Sequence, residues 1–158
     1  MRTLSTLSLL WSLALVVPAL ADFAAGLAAY QKGDYTTAAK EWRPLAEDGD
    51  AATQFNLGLL YLDGHGVPQD YAEAAKWFRR SAEQGYTEAQ HNLGAMYGTG
   101  QGVRRDYVEA YKWLNICSAK GNTGCTTQRD LVAKKLKPAQ VSQAQRLSSE
   151  FAPRAEKQ

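Results

Sequence analysis

What most constrains the fold of this chain is a block of sequence that occurs twice, thirty-six residues apart. Gln54, Asn56, Leu57, Gly58, Tyr61, Gly64, Gly66, Val67, Asp70, Tyr71, Glu73, Ala74, Lys76, Trp77 and Gly85 each have an identical counterpart between Gln90 and Gly121. A repeat of that length is one supersecondary unit, too small to enclose its own apolar face. It buries that face by stacking on the next unit, so the chain grows as a solenoid. Function is accordingly sought on a surface rather than in a deep catalytic pocket.

Each unit reads as two helices and a turn. In residues 51–86, Phe55, Leu57, Leu59 and Leu62 recur at helical spacing, Gly64 to Gln69 interrupt the pattern, and Asp70 opens a second helix carrying Tyr71, Ala74, Trp77 and Phe78. Asp70 with Glu73 and Asp106 with Glu109 have the form of capping boxes, as does Thr87 with Gln90 at the start of the next unit. Gly58 and Gly94 fall inside predicted helices, where glycine costs about 1 kcal/mol relative to alanine. The same cost at the same register in both units predicts a close approach of two helices, with Ala74 and Ala110 as the small facing residues. Tyr61, Tyr97, Trp77 and Trp113 supply the bulk around that contact, and their helical register assigns them to packing rather than to a ligand box.

The flanks are less regular. Phe23 to Gly49 form a shorter unit in which Trp42 aligns with Phe78 and the turn before Asp34 has four fewer residues than those before Asp70 and Asp106. After Gly121 the pattern decays into one helix over 126–137, using Leu131, Val132 and Leu136, and another from Pro138 carrying Val141, Ala144, Leu147 and Phe151. These are expected to cap the stack. The expected organisation is a signal peptide over 1–21, an atypical first repeat over 22–50, full repeats over 51–86 and 87–122, capping helices over 123–152 and a flexible tail over 153–158.

The leader reading rests on Arg2, an uncharged apolar run from Leu4 to Val17, a helix-breaking Pro18 and the small-residue pattern Ala19-Leu20-Ala21, with cleavage between Ala21 and Asp22. A membrane anchor is the competing reading, but the run is shorter than the roughly 20 residues a spanning helix needs. Export places the mature chain in the periplasm or outside the cell, with no stable membrane insertion once the leader is removed. Losing Arg2 leaves seventeen Lys and Arg against sixteen Asp and Glu. That balance gives no electrostatic reason to expect nucleic acid as a partner.

Cys117 and Cys125 are the two cysteines, and each lies four residues from Gly121 at the turn between two predicted helices. Residues equidistant from such a turn tend to face each other, and the equivalent places one junction earlier, Ser81 and Ala89, are both small. An even cysteine count in an exported chain favours a disulfide between them. A redox or metal role is the weaker alternative, since there is no Cys-x-x-Cys and no histidine close in sequence.

Little else points to chemistry. His65 and His91 lie in different units and make no pair at metal-ligand spacing. Gly64-His65-Gly66-Val67 and Gly100-Gln101-Gly102-Val103 follow no strand and lack a following Gly-Lys-Ser/Thr, so they read as glycine turns rather than phosphate loops. The pairs Arg79-Arg80, Arg104-Arg105 and Lys134-Lys135 read as solvated faces. No metal or cofactor is expected.

The pattern Ala-Gln-x-x-Leu-Gly-x-x-Tyr-x-x-Gly-x-Gly-Val-x-x-Asp-x-x-x-Ala-x-x-Trp is met at every position from Ala89 to Trp113, and in residues 51–86 it departs only at Thr53. It resembles the signature of the Sel-one-like repeat family, and Gly26, Gly33-Asp34-Tyr35 and Ala38 are similar to the related tetratricopeptide spacing. The resemblance implies an all-α, α/α superhelix that binds a protein or peptide through its groove, as an adaptor. Carried across, that groove would hold Phe23, Leu27, Tyr30, Phe55, Leu59, Leu62, Glu88, His91 and Ala95. The spacing of Cys117 and Cys125 is similar to that in cysteine-rich secreted members. Some of those are described as penicillin-binding or weakly β-lactamase-like, which makes a hydrolase the alternative reading, although Ser-x-x-Lys, Ser-Asp-Asn and Lys-Thr-Gly are absent here.

Overall fold

The computed structural model describes residues 16–154, with side chains from Phe23 onward. Eight α-helices and no strand occur among the described residues: α1 (Val16–Gln31), α2 (Tyr35–Asp48), α3 (Ala51–Asp63), α4 (Tyr71–Glu83), α5 (Thr87–Thr99), α6 (Tyr107–Ser118), α7 (Thr123–Ala133) and α8 (Pro138–Ser149). The chain is thus an all-α helical repeat superhelix. Helices pair as α1 with α2, α3 with α4 and α5 with α6, and each pair joins the next through α2 on α3 and α4 on α5. Most of the leader lies outside the described residues. Pro18, read from sequence as ending any helix, falls inside α1. No helix among the described residues is long and apolar enough to cross a membrane.

Helix starts are written locally in most units. Asp34, Asp50, Asp70, Asp106 and Asn122 are N-caps whose side chains accept first-turn amide protons. The boxes expected at Asp70 and Asp106 form only on that side. The amides of Asp70 and Asp106 already donate to the carbonyls of Tyr61 and Tyr97, both at 3.0 Å, so Glu73 and Glu109 turn instead to Lys76 and Lys112. The box expected at Thr87 and Gln90 does not form at all. Tyr86 is the N-cap, and the buried Gln90 side chain donates to the carbonyl of Ala82 at 3.1 Å, as Gln54 does to Ala46 at 2.9 Å. The repeated glutamine therefore reaches back to a carbonyl at the end of the preceding helix, and that of Ala82 also accepts from the Gly85 amide at 3.0 Å.

The helix contact expected at Gly58 and Gly94 exists, with Phe78 and Leu114 nearest and the expected Ala110 meeting Gly94 through its carbonyl. A Cβ on Gly58 would stand 2.7 Å from the Phe78 ring, and one on Gly94 would stand 2.7 Å from Leu114. Gly26 is likewise covered by Trp42. In all three pairs a bulky residue of the second helix lies across a glycine of the first, while Ala74 and Ala110 are fully buried beside the contact. The core is shared between pairs: Trp42 and Ala38 from α2 cluster with Leu57, Leu60 and Trp77, and Phe78 and Ala82 from α4 cluster with Leu93, Met96 and Trp113.

The stack ends irregularly. α8 packs on α6 rather than pairing with α7, so the outer side of α7 is left open and Leu131 is 56% exposed. Contacts continue past α8, through Phe151 and through Arg154 of the segment expected to be a flexible tail. Phe151 meets Trp113 edge-on at 5.5 Å, the Arg154 amide donates to the Glu83 carbonyl at 2.8 Å, and its guanidinium pairs with the Glu83 carboxylate.

A disulfide joins Cys117 to Cys125, with Cα atoms 5.9 Å apart and both residues buried, and so ties α7 to α6. Closing so short a loop is worth about 2–3 kcal/mol on chain-entropy grounds. The Cys117→Ser/Cys125→Ser protein should lose that amount in urea denaturation. A midpoint equal to that of the oxidised wild type would show that the bridge adds nothing.

Candidate functional site

The residues assigned to the groove divide into two groups. Phe23 stacks on Trp42 at 6.4 Å, and Tyr30 sits against Trp42 at 5.6 Å and Tyr35 at 5.1 Å. Phe55 lies between Phe78 at 5.8 Å and Tyr86 at 5.2 Å, and Leu59 and Leu62 are half-buried against the α4–α6 core. These side chains mainly pack neighbouring helices, although Leu27 and Tyr30 remain 39% and 37% exposed. Burial, and then the charges of Glu88 and Asp50, push the Tyr86 hydroxyl above its usual range, keeping it a neutral edge to this cluster. Glu88 is exposed, whereas His91 is half-buried, with its Nε2 enclosed and unpartnered.

Ala95 belongs to the second group. It opens on a groove of about 320 Å³ between α5, α6 and α7, walled by Gly98, Leu114, Leu131 and Val132 and rimmed by Thr99, Tyr107, Gln128 and Lys135. None of these neighbours was in the expected set.

The signal for them is a difference between the two repeats. Leu59 and Leu62 of the first copy correspond to Ala95 and Gly98 in the second, so two bulky side chains are missing where α5 faces α7. Nor is Gly98 demanded by packing: a Cβ there would meet only Ala110 at 3.9 Å and Val132 at 4.0 Å, ordinary contact distances. Its smallness leaves space rather than relieving a clash.

Of the histidines, His65 stacks on Tyr35 at 4.5 Å, and His91 lies within 3.8 Å of where a Gly124 side chain would begin. Among the described residues no three His, Cys, Asp or Glu side chains are grouped to hold a metal ion.

The family model of the Sel1 repeat matches residues 51–86 and 87–122. The chain is a Sel1 repeat protein. Its fold is shared with c5321, described as a protective antigen present in uropathogenic Escherichia coli strains and displaying an SLR fold, at 38% identity and a TM-score of 0.79 over 84% of this chain. A Sel1 repeat protein from Oxalobacter formigenes matches 80% of the chain at 26% identity and a TM-score of 0.65. The chain spans 29% and 54% of the lengths of those two structures. No curated protein matches it. Membership supports a repeat scaffold for protein interaction.

Proposed function

We propose that this Sel1 repeat protein is an exported, non-catalytic adaptor that holds an apolar segment of another protein in the groove between α5 and α7. The observation carrying this reading is the paired loss of bulk at Ala95 and Gly98, where the preceding repeat has Leu59 and Leu62. An opening with an apolar wall and a polar rim suits an amphipathic helix or an extended segment. At about 320 Å³ it stands at the small end of ligand-site volumes, roughly 300–1,000 Å³, enough for a few anchoring side chains. Export is supported by the leader pattern over residues 1–21 and by the Cys117–Cys125 bridge, since such bonds persist in oxidising compartments. The absence of turnover is supported by what the aspartates at helix starts are used for: Asp34, Asp50, Asp70 and Asp106 all serve as caps.

Gly98→Leu tests the groove without attacking the fold. It restores the residue found one repeat earlier, at a site with room for it, and removes a helical glycine. With a photo-crosslinker at position 131, wild-type protein should yield an adduct in envelope extract of its source cells. Gly98→Leu should weaken that capture by at least about tenfold with helical content unchanged. Undiminished capture would move the binding surface elsewhere.

A further inference from the structure

The small net charge of the whole chain, 18 Lys and Arg against 16 Asp and Glu, conceals a local asymmetry at α4 and the turn into α6. A cleft of about 720 Å³ opens between α4 and the turn leading into α6, lined by Arg79, Tyr97, Arg104, Arg105, Asp106 and Lys112. Two of its arginines are held in place by aromatic rings. The Arg79 guanidinium donates to the Tyr97 hydroxyl at 2.6 Å and lies 5.5 Å from that ring, and Arg105 lies 5.6 Å from the Tyr107 ring. Such stacking lowers the entropy a long side chain loses on gripping a ligand.

The carboxylates of Asp106 and Glu109, which also line the cleft, offset only part of the charge of Arg79, Arg104, Arg105 and Lys112. Asp106 is engaged by the amides of Val108 and Glu109 at 2.9 and 3.1 Å, and Glu109 pairs with Lys112 at 3.0 Å. Among the described residues, Arg79, Arg104 and Arg105 take part in no ion pair. The equivalent place one repeat earlier is a natural control. There Arg43 also donates to a tyrosine hydroxyl, that of Tyr61 at 2.7 Å, but Pro68 and Gln69 stand where Arg104 and Arg105 do. The scaffold is repeated and the charge is not.

We infer that this cleft is a second binding site, which takes an acidic segment of a partner protein. The arginines come from two elements, α4 and the turn into α6, and the cleft, at about 720 Å³, is far larger than a single inorganic anion. Both features suit several Asp or Glu carboxylates spaced along a chain, each able to take paired hydrogen bonds from a guanidinium. The site is centred on α4 and the turn into α6, away from the α7 wall of the other groove, although Tyr97 belongs to α5 and Tyr107 also rims the α5–α7 groove.

Fluorescein-labelled hexaglutamate, titrated by anisotropy at about 150 mM salt so that distant charges are screened, is the direct probe. Saturable binding is expected, weakened at least about tenfold in Arg104→Glu/Arg105→Glu and within about twofold of wild type in Lys32→Glu/Lys40→Glu. Lys32 and Lys40 are exposed and lie on α2 and the turn before it, so the second variant carries the same charge change away from the cleft. Circular dichroism confirms that both variants are folded. No saturable binding, equal weakening in the two variants, or displacement of the peptide by pyrophosphate at a lower concentration than by unlabelled hexaglutamate would each overturn the assignment.

Discussion

Gly102→Ala should be among the most damaging single substitutions in the chain, at about 2–5 kcal/mol. Gly102 has φ of 68°, where a residue with a Cβ costs roughly 1–2 kcal/mol. The added Cβ would also collide with the carbonyl of Tyr71 and the amide of Ala72, main-chain atoms at the start of α4 that cannot rotate away. Overpacking of that kind adds about 1–3 kcal/mol. Set against a typical total stability of about 5–15 kcal/mol, the loss should be obvious in urea denaturation. Gly33→Ala is the internal control, with φ of 78° but nothing within 4 Å of its Cβ. Equal losses in the two variants would mean that the turn yields and that its seat on α4 is not a structural lock.

Trp42→Ala should cost about 3–5 kcal/mol, the range for deleting a buried tryptophan. Trp42 is 1% exposed, covers Gly26, and is flanked by Phe23 and Tyr30. It also shares a core cluster with Leu57, Leu60 and Trp77 of the next pair. Removing it should therefore lower the stability of one cooperative unfolding transition rather than detach α1 and α2 alone. Two separated transitions, with the later one at the wild-type midpoint, would instead make residues 22–50 an independent unit.

The helices, their aspartate caps and the glycine register were legible because the chain states them twice, and the Sel1 repeat fold follows from the same residues. What was misread depended on tertiary competition. Thr87 and Gln90 match a capping box, but the buried carbonyl of Ala82 claims the Gln90 side chain. Gly58 announces a close approach without saying that Phe78, rather than Ala74, makes it. An apolar stripe on α8 likewise does not reveal that α6, and not α7, will receive it. Both candidate surfaces escaped for another reason. They lie where the two copies differ, Leu62 against Gly98 and Pro68-Gln69 against Arg104-Arg105, and a comparison built on identities passes over such positions.

Docking in the α5–α7 groove is tested most directly by backbone amide NMR of the mature, oxidised protein with and without the partner recovered through the position-131 crosslink. The largest shift changes are expected at Ala95, Gly98, Leu131 and Val132, and Gly98→Leu should abolish them. Changes confined to α2, α4 and α6, with α5 and α7 unperturbed, would contradict it.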